Sequence, residues 1–475
     1  MTGVAPYPRR WIALITMLTT NFMSLVDVSV VNVALPSIRK DLSMGEAGLQ
    51  WIVAGFVIAL ALGLLPMGRM GDIFGRKRIF LSGIVVFTTA SMCCGLAPSG
   101  PALIAARALQ GAGTAMMIPQ TLAICQDIFE TEERGSAYAL FGIVASLAAV
   151  SGPALGGAII EANFFGYGWR PIFWINLPVG LVAFFLGSRN IPDIAGKRHL
   201  GLDWVGTGLV VAAMFCLIFA LVEGRSLGWP VWLRLQVLVS LAIFTAFVFW
   251  QSRQERLGRP QLLPITLMTH VPYALGLSMT TLLFSCVPAF FFTFTLLLQE
   301  GFGIGPFRAG LTTLPFPVGI FTASALATKL GAKWPWPRIF GGILLFSVAM
   351  VTIRLIVGGG DTPLEPKVFF VPLLVGGFAF GSIISPLFQT TLTSVPKQNA
   401  GSASDAMQAM QHTGSALGVS AIGLLFFGVL TEEGHAAAAY RHAMTAGMTY
   451  PLTILVIVLC LAVLAVRRRS KPSGE

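Results

Sequence analysis

Long apolar stretches alternate with short polar segments along the whole of this sequence. A helix that crosses a bilayer needs about 20 mostly apolar residues, and about fourteen stretches come close to that length. The hydropathy pattern therefore predicts transmembrane helices at residues 11–34, 47–67, 79–97, 101–122, 137–161, 170–188, 204–223, 231–250, 272–297, 308–328, 338–357, 368–392, 405–430 and 448–466.

The predicted spans are helices rather than barrel strands, because they lack the period-2 alternation of a membrane barrel. A backbone in lipid must also satisfy its own hydrogen bonds, which a helix does within one segment. The predicted fold class is therefore all-α. The span 405–430 has the weakest signal because its first half contains polar side chains, namely Asp405, Gln408, Gln411 and His412. The first span lacks a clear small-residue cleavage site, so it is predicted as a transmembrane helix rather than a signal peptide.

Composition agrees with this pattern. Of the 475 residues, 55% are hydrophobic and 11% are charged, which excludes an ordinary soluble domain. The six cysteines lie in or at the ends of apolar spans, and their spacing matches neither a zinc site nor a disulfide framework. We expect no metal and no cofactor.

The positive charge is distributed unevenly along the chain. The net charge of +11 would indicate nucleic acid as a partner if the chain were soluble. With the N-terminus inside, about 21 of the 31 Lys and Arg residues lie on the cytoplasmic side and about eight lie outside. An even number of spans then returns the basic RRRSK segment at 467–471 to the inside. We therefore expect both termini to be cytoplasmic and no nucleic acid to bind.

Two short segments recur within the chain, as expected for a transporter built from related halves. EAGL at 46–49 returns as RAGL at 308–311, and RIF at 78–80 returns as RIF at 338–340. Between these anchors Arg69 corresponds to Lys329 and Gly71 to Gly331, with a slip of two residues. Both copies run in the same sense across the membrane, which predicts a parallel repeat.

Four motifs together resemble the major facilitator superfamily, and specifically its fourteen-helix drug:proton antiporter branch. They are SLVDVSVVNVALPSI at 24–38, GRMGDIFGRKRIF at 68–80, RALQGAGTAMMIPQ at 107–120 and SGPALGGAII at 151–160. The resemblance implies a six-helix half at 1–190, a linker with two extra helices at 191–260, a second half at 261–475 and a bacterial inner membrane. Two positions depart from the family pattern. Ile73 follows Asp72 where the family often has a basic residue, and Gln411 lies near a position where the family often has Arg.

Asp27 is the only carboxylate well inside the first predicted span, and Arg107 lies inside the fourth. Asp27 lies about 24 Å along a helix that runs outward from residue 11, so it is nearer the outer end. Arg107 lies about 9 Å from the outer end of its own helix, so the two residues lie at similar depths. A charge near mid-membrane costs at least ~2.5 kcal/mol, which makes Asp27 a functional candidate. Since the resemblance implies that helices 1 and 4 line the central cavity, we expect a direct or water-linked pair that couples protons. A purely structural ion pair is the alternative.

The basic stretch at 68–80 is predicted to be an inner loop between the second and third helices. Glycines permit a tight turn there, and Asp72 can accept from nearby cations. Arg76 and Lys77 can pair with acids at the inner end of the fourth helix, where Asp127 is the best placed. By resemblance this cytoplasmic gate, comprising Gly68, Asp72, Gly75, Arg76, Lys77 and Asp127, holds the two halves together when the cavity opens outward. The alternative is a simple positive anchor, although Asp72 adds nothing to anchoring.

The SGPALGG segment predicts close helix packing. Small residues let helices approach, and Pro153 frees a carbonyl and bends its helix. The role of Gly152, Pro153, Gly156 and Gly157 as an antiporter motif is implied by the resemblance alone.

Polar side chains within the spans are the candidate lining of a substrate cavity: Asn21, Asn32, Gln389, Gln408, Gln411 and His412. His412 can also carry a second proton, or be merely hydrogen-bonded. The aromatic run Phe290, Phe291, Phe292 and Phe294 either joins this cavity, faces lipid or forms core.

These observations predict a proton-driven exporter of amphipathic organic compounds that rocks its two halves around a midplane cavity. An importer or facilitator of a small metabolite on the same fold is the nearest alternative. A membrane enzyme would need a nucleophile, dyad or metal cluster, which the sequence lacks, and His435 and His442 have no clear ligand set. A sensor would need a signalling domain, for which the inner loops are too short. A monomer is expected, and a periplasmic adaptor stays an open question.

Overall fold

The computed structural model describes residues 7–193, 196, 201–224, 226–262, 265–330, 334–359, 365–395, 400–434 and 436–469. Within this part of the chain the regular elements are helices and there is no strand, so the predicted all-α class is confirmed. The α-helices are α1 Arg10–Leu42, α2 Glu46–Phe74, α3 Arg76–Gly95, α4 Gly100–Ile128, α5 Thr131–Ala162, α6 Pro171–Trp174, α7 Asn176–Asn190, α8 Trp204–Glu223, α9 Val231–Arg256, α10 Ile265–Thr269, α11 Val271–Leu296, α12 Pro306–Thr313, α13 Pro315–Leu330, α14 Pro335–Gly358, α15 Phe370–Leu392, α16 Ala400–Glu433, α17 Ala437–Gly447 and α18 Thr449–Arg469.

Thirteen helical segments in the described part are long and apolar enough to cross a membrane. Helix α4 is not among them because its polar residues, including Arg107, Gln110 and Gln120, lower its hydropathy. Its 29 residues nevertheless span about 44 Å, and it packs against both α2 and α3. With α4 the described chain contains the fourteen membrane helices that the sequence predicted. We call the side on which Arg10 and Arg469 lie the inner side.

Two predicted spans are broken by proline. The span predicted at 170–188 divides at Ile175 into α6 and α7, and the span predicted at 308–328 divides at Leu314 into α12 and α13. Pro178 and Pro315 each lack the N–H group that would bond to the carbonyl four residues earlier. The sequence pattern missed these breaks because the apolar run continues through them.

Two outer segments differ from the sequence prediction. Helix α1 does not end at residue 34 but continues through Pro36 to Leu42, where Ser43 adopts a left-handed conformation with φ of 50°. The segment around His442, predicted as an outer loop, contains the helix α17. Hydropathy misses both segments because they extend beyond the apolar part of each span.

The helices outside the inserted pair form two groups, the first from α1 to α7 and the second from α11 to α18, with the same internal packing. In the first group α1 packs on α5 and α7, α2 on α4, and α3 on α4 and α7. In the second group α11 packs on α16 and α18, α13 on α15, and α14 on α15 and α18. The repeated EAGL and RIF segments also lie at the starts of equivalent helices, α2 with α12 and α3 with α14. Gly331 lies outside the described residues, and the domain boundaries at 190 and 260 stay a prediction.

The additional helices α8 and α9 form a pair beside the junction of the two groups. They pack against each other, and α8 also contacts α2 of the first group and α16 of the second. At the inner end, Asp203 caps α8 by accepting from the backbone N–H of Gly206 at 2.8 Å. Asp203 also accepts from the side chains of Trp250 at 2.9 Å and Gln251 at 2.6 Å on α9. These bonds hold the two inserted helices in a fixed register.

The largest apolar core joins the two groups, and its members in the first group lie towards the outer end. This core joins Val31 and Leu35 of α1 to Phe292 and Leu296 of α11 and to Phe426 of α16. Direct helix contacts between the groups are made by α2 with α16 and by α5 with α12. The described structure is therefore closed at its outer end.

Candidate functional site

Asp27 of α1 and Arg107 of α4 form a direct ion pair inside the membrane-spanning region. The Asp27 residue is 3% exposed and Arg107 is 1% exposed. The contact resolves the choice between a direct and a water-linked pair in favour of the direct one. Two opposite charges in so dry a place attract strongly, and removing either one leaves the other charge buried without compensation.

Two amide side chains, which the sequence analysis did not single out, complete the coordination of Asp27. Gln110 donates its Nε2 to Asp27 Oδ1 at 2.8 Å, and Asn176 of α7 donates its Nδ2 to the same oxygen at 3.0 Å. Gln110 Oε1 in turn accepts from Arg107 at 2.6 Å. The available signal was the presence of neutral polar residues in apolar spans, but sequence gives no distance between helices.

A further shell of contacts fixes the two amides and the guanidinium. Asn176 also donates to Ser91 Oγ at 2.9 Å, and Ser91 donates to the carbonyl of Phe173 at 2.9 Å. The Arg107 guanidinium carbon lies 4.3 Å from the centre of the Phe56 ring, where it gains a cation–π interaction. Because the partners come from α3, α4 and α7, the site lies within the first helix group and not at the junction with the second.

The segment 68–80, predicted as an inner loop, is helical on both sides of Gly75, and the ends of α2 and α3 form a second charged cluster on the inner side. Arg76 donates to Asp127 Oδ2 at 2.5 Å and to Asp72 Oδ1 at 3.3 Å. It also donates to the carbonyl of Ala123 at 2.9 Å. The choice of Asp127 as the partner of Arg76 on α4 thus agrees with the geometry. All of these groups belong to the first helix group, so in this conformation the cluster joins α2, α3 and α4 and makes no bond to the second group among the described residues.

The remaining gate residues shape the turn. Gly75 has φ of 101°, a left-handed conformation that side chains disfavour, and it ends α2 and begins α3 without a linker. Gly68 approaches Pro119 of α4, because a Cβ added to Gly68 would lie 3.4 Å from the Pro119 Cβ. Lys77 is partly buried and forms no ion pair with a described residue, unlike Arg76.

A separate pair connects α1 and α5 on the inner side. Arg10 donates to Glu133 at 2.8 Å, and this hydrogen bond lowers the pKa of the Glu133 carboxyl. The pair is partly exposed, so it contributes little to the stability of the fold.

The glycines of the SGPALGG segment allow α5 to contact helices on two sides. Gly152 and Gly156 face Ser29 and Val30 of α1, and a Cβ on Gly156 would lie 2.8 Å from the Val30 Cγ1. Gly157 faces the other helix group, where a Cβ would lie 2.5 Å from the Cα of Phe307. The carbonyl of Pro153 lies against Gly310. The segment therefore packs α5 between α1 and α12, which is the packing role that the sequence predicted.

The outer junction also contains polar bonds between the two groups. Arg39 at the end of α1 donates to Glu300 Oε2 at 2.7 Å, and Gln299 donates its Nε2 to the carbonyl of Val33 at 2.9 Å. Tyr440 of α17 donates its hydroxyl to the same Glu300 oxygen at 2.7 Å. Glu300 lies in a π-helical turn, Leu297–Gly301, a geometry that often occurs at functional positions. The hydrogen bonds found between described residues of the two groups lie at this outer end.

The six candidate cavity residues lie at three depths. Asn21 of α1 and Gln411 of α16 are each about 17 Å from the inner ends of their helices. Gln408 and His412 flank Gln411 on α16, and all three are partly buried. Asn32 is higher, about 33 Å from the inner end of α1, while Gln389 is exposed near the inner end of α15. The geometry therefore supports one level shared by Asn21, Gln408, Gln411 and His412 and separates the other two.

The phenylalanine run belongs to the core. Phe290, Phe292 and Phe294 are buried, and Phe291 packs edge-on against Phe316 with 5.0 Å between ring centres. This outcome matches the core alternative and leaves no aromatic lining from this run.

The chain is similar to known membrane transporters over most of its length. The family model described as Major Facilitator Superfamily matches residues 17–419. A probable actinorhodin transporter of Streptomyces coelicolor is 38% identical over 444 residues, which cover 92% of this chain and 75% of that protein. The multidrug resistance protein Stp of Mycobacterium tuberculosis is 31% identical over 418 residues, 86% of this chain and 75% of that protein. A bacterial homologue of the human lysosomal transporter Spinster, solved in an inward-facing and unoccupied conformation, has a TM-score of 0.67, 18% identity and 98% coverage of both chains.

The buried pair gives a prediction on stability. Asp27→Asn leaves the Arg107 charge without a partner and should lower the free energy of unfolding by about 3–5 kcal/mol. The double variant Asp27→Asn with Arg107→Gln carries no buried charge and should recover much of this loss. The measurement is the thermal unfolding midpoint in detergent. A single variant as stable as the wild type would contradict the prediction.

The glycine contacts give a prediction on closure. Gly157→Leu places a side chain against Phe307 of the other group, so it should open the outer junction while each group still folds. Val33→Cys, which is buried at that junction, should then react faster with a membrane-impermeant maleimide. Gly341→Leu is the matched control, because a Cβ on Gly341 meets nothing within 4 Å. Equal labelling rates in the two backgrounds would refute the closure role.

Proposed function

This chain belongs to the Major Facilitator Superfamily, and from that premise we propose that it is a proton-coupled antiporter. It exports amphipathic organic compounds across a bacterial inner membrane, with both termini in the cytoplasm. The observation that carries the proposal is the buried Asp27–Arg107 pair, whose carboxylate is held by three donors within the bilayer. Relatives named as an actinorhodin transporter and a multidrug resistance protein support export.

The proposed substrate is amphipathic and not a polycation. The charge of Asp27 is already compensated by Arg107, so this carboxylate does not attract a second cation. The candidate groups at the common level are neutral amides and one imidazole, from Asn21, Gln408, Gln411 and His412. Such groups give hydrogen bonds without fixed charge, which suits compounds that combine an apolar body with a few polar groups.

The coordination of Asp27 supports proton coupling. Protonation removes the charge that compensates Arg107, and the guanidinium then lacks a charged partner in a dry site. The amides of Gln110 and Asn176 keep the neutral carboxyl hydrogen-bonded, so the helix group stays folded while α1 and α4 separate. Loss of the proton restores the pair. Each inward proton supplies about 2.3 kcal/mol per 100 mV of membrane potential.

Helix α1 provides a mechanical link from this site to the outer junction. Val33, which accepts from Gln299, lies six residues beyond Asp27 on the same helix, about 9 Å along its axis. Arg39 is a further six residues along, where it pairs with Glu300. A shift of α1 at Asp27 therefore changes both bonds at once. We propose that protonation from the outside accompanies opening of this junction, which is alternating access with two rigid groups.

Transport measurements test proton coupling directly. Inside-out vesicles that contain the protein and a pH-sensitive dye are acidified, and lipophilic cations, neutral antibiotics and organic anions are then added in turn. We expect proton release with at least one class, because substrate and proton are exchanged. Asp27→Asn should abolish this release. Substrate uptake by the wild type without any proton movement would overturn the proposal in favour of a facilitator.

The double variant Asp27→Asn with Arg107→Gln separates chemistry from folding. It should be folded and bind substrate, yet release no protons, because neither state carries a titrating carboxyl. Asp27→Glu keeps the carboxyl and should retain part of the release. If the double variant still released protons on substrate addition, Asp27 would be a structural residue only.

The outer ion pair gives a prediction on conformation. Arg39→Gln and Glu300→Gln should each shift the population towards an outward-open state, since each removes the charge attraction between the groups. The effects of the two substitutions should not add, and we measure this as maleimide labelling of Val33→Cys in the two single variants and the double variant. Lys367→Gln serves as the control, because Lys367 pairs with Glu365 of its own group at 2.5 Å on the exposed surface. Additive effects would mean that the pair does not hold the groups together.

A further inference from the structure

A groove runs between the inserted helix α8 and the neighbouring helices α2 and α4. Its volume is about 720 Å³. Small residues of α2 and α4, such as Ala59, Ala108 and Ala112, form its floor. Phe215 and Phe219 of α8 stand beside Trp51 towards its outer end, with 6.1 Å between the ring centres of Trp51 and Phe215. Trp204 lines its inner end.

The groove has nearly the length of the hydrocarbon core of a membrane. Its lining on α2 extends from Trp51 to Met70, a rise of about 28 Å along a helix axis. The hydrocarbon core of a typical bilayer is about 30 Å thick. One leaflet contributes about half of that thickness, so an occupant that fills the groove comes from both leaflets.

The lining offers almost no polar group to an occupant. It contains no charged side chain, and the hydroxyl of Thr207 is already used in donating to the carbonyl of Asp203 at 2.8 Å. The indole N–H of Trp51 donates to Glu223 at 2.9 Å. Ordered water needs two to four polar partners, a number that this lining does not supply. Hydrocarbon gains the dispersion contacts that an empty groove would lose.

The groove is continuous with the surface that faces lipid. Trp204, Val211 and Phe215 line it and are also exposed on the outside of the bundle. Chains from the surrounding bilayer can therefore enter sideways without any opening of the two helix groups. The lining contains no residue of α16 or of another helix of the second group, so we separate its occupant from the exported compound.

We propose that this groove binds phospholipid acyl chains, one from each leaflet, and that they attach the inserted helix pair to the first helix group. Helix α8 contacts both groups, and a filled groove adds apolar contact on the side of α2 and α4 alone. The inserted pair then moves with the first group during transport. The lipid is thus a structural ligand that a detergent wash removes slowly.

A photoreactive lipid tests the proposal. The full-length protein is reconstituted with phosphatidylethanolamine that carries a diazirine in the middle of one acyl chain, washed with detergent and then irradiated. Mass spectrometry of peptides should find retained label on α2, α4 and α8. Ala59→Phe with Ala108→Phe fills the floor and should lower that label by about tenfold, which corresponds to about 1.4 kcal/mol of binding free energy.

A matched substitution and a smaller variant complete the experiment. Val348→Phe adds the same ring on α14, where the side chain is exposed to lipid, and should leave the label on α2, α4 and α8 unchanged. If the double variant is not monodisperse, Ala59→Leu alone should still lower the label. Equal label in wild type and filled variants, or label spread evenly over all lipid-facing helices after washing, would overturn the proposal.

Discussion

A buried charge must be compensated, and this requirement organises the first helix group around Asp27. The carboxylate accepts from Arg107, Gln110 and Asn176, so α1, α4 and α7 meet at one point. Ser91 extends the same network to α3. The low dielectric of the site makes the pair strong and also makes it costly to break. Because the pair joins α1 to α4, breaking it would change the packing of these helices.

Close backbone contact is the second constraint, and glycine satisfies it where the two groups meet. Gly157 lies against Phe307, and Gly310 lies against the Pro153 carbonyl. These contacts need neither charge nor long side chains, so they can form and separate with little desolvation. The Arg39–Glu300 pair forms a charged contact across the same junction. Packing thus sets the shape of this closed junction, and the ion pair adds an attraction across it.

The inserted helices follow a different rule. Their bond network at Asp203 joins α8 to α9, but their surface towards α2 and α4 leaves an apolar groove. In water such a groove would collapse or be filled by side chains. Within a bilayer the solvent itself is hydrocarbon, and a surface of this kind is compatible with a stable fold.

Hydropathy alone determined the all-helical class and the positions of the spans, because a lipid environment permits few backbone structures and requires a minimum apolar length. It also identified Asp27 and Arg107, since charges are rare at that depth, and matched Arg76 with Asp127 through their inner positions. Which prolines break a span, the helix α17 and the partners Gln110 and Asn176 were decided by tertiary structure. Apolar runs pass through a break unchanged, and residues that are distant in sequence reveal their contact only when the helices pack.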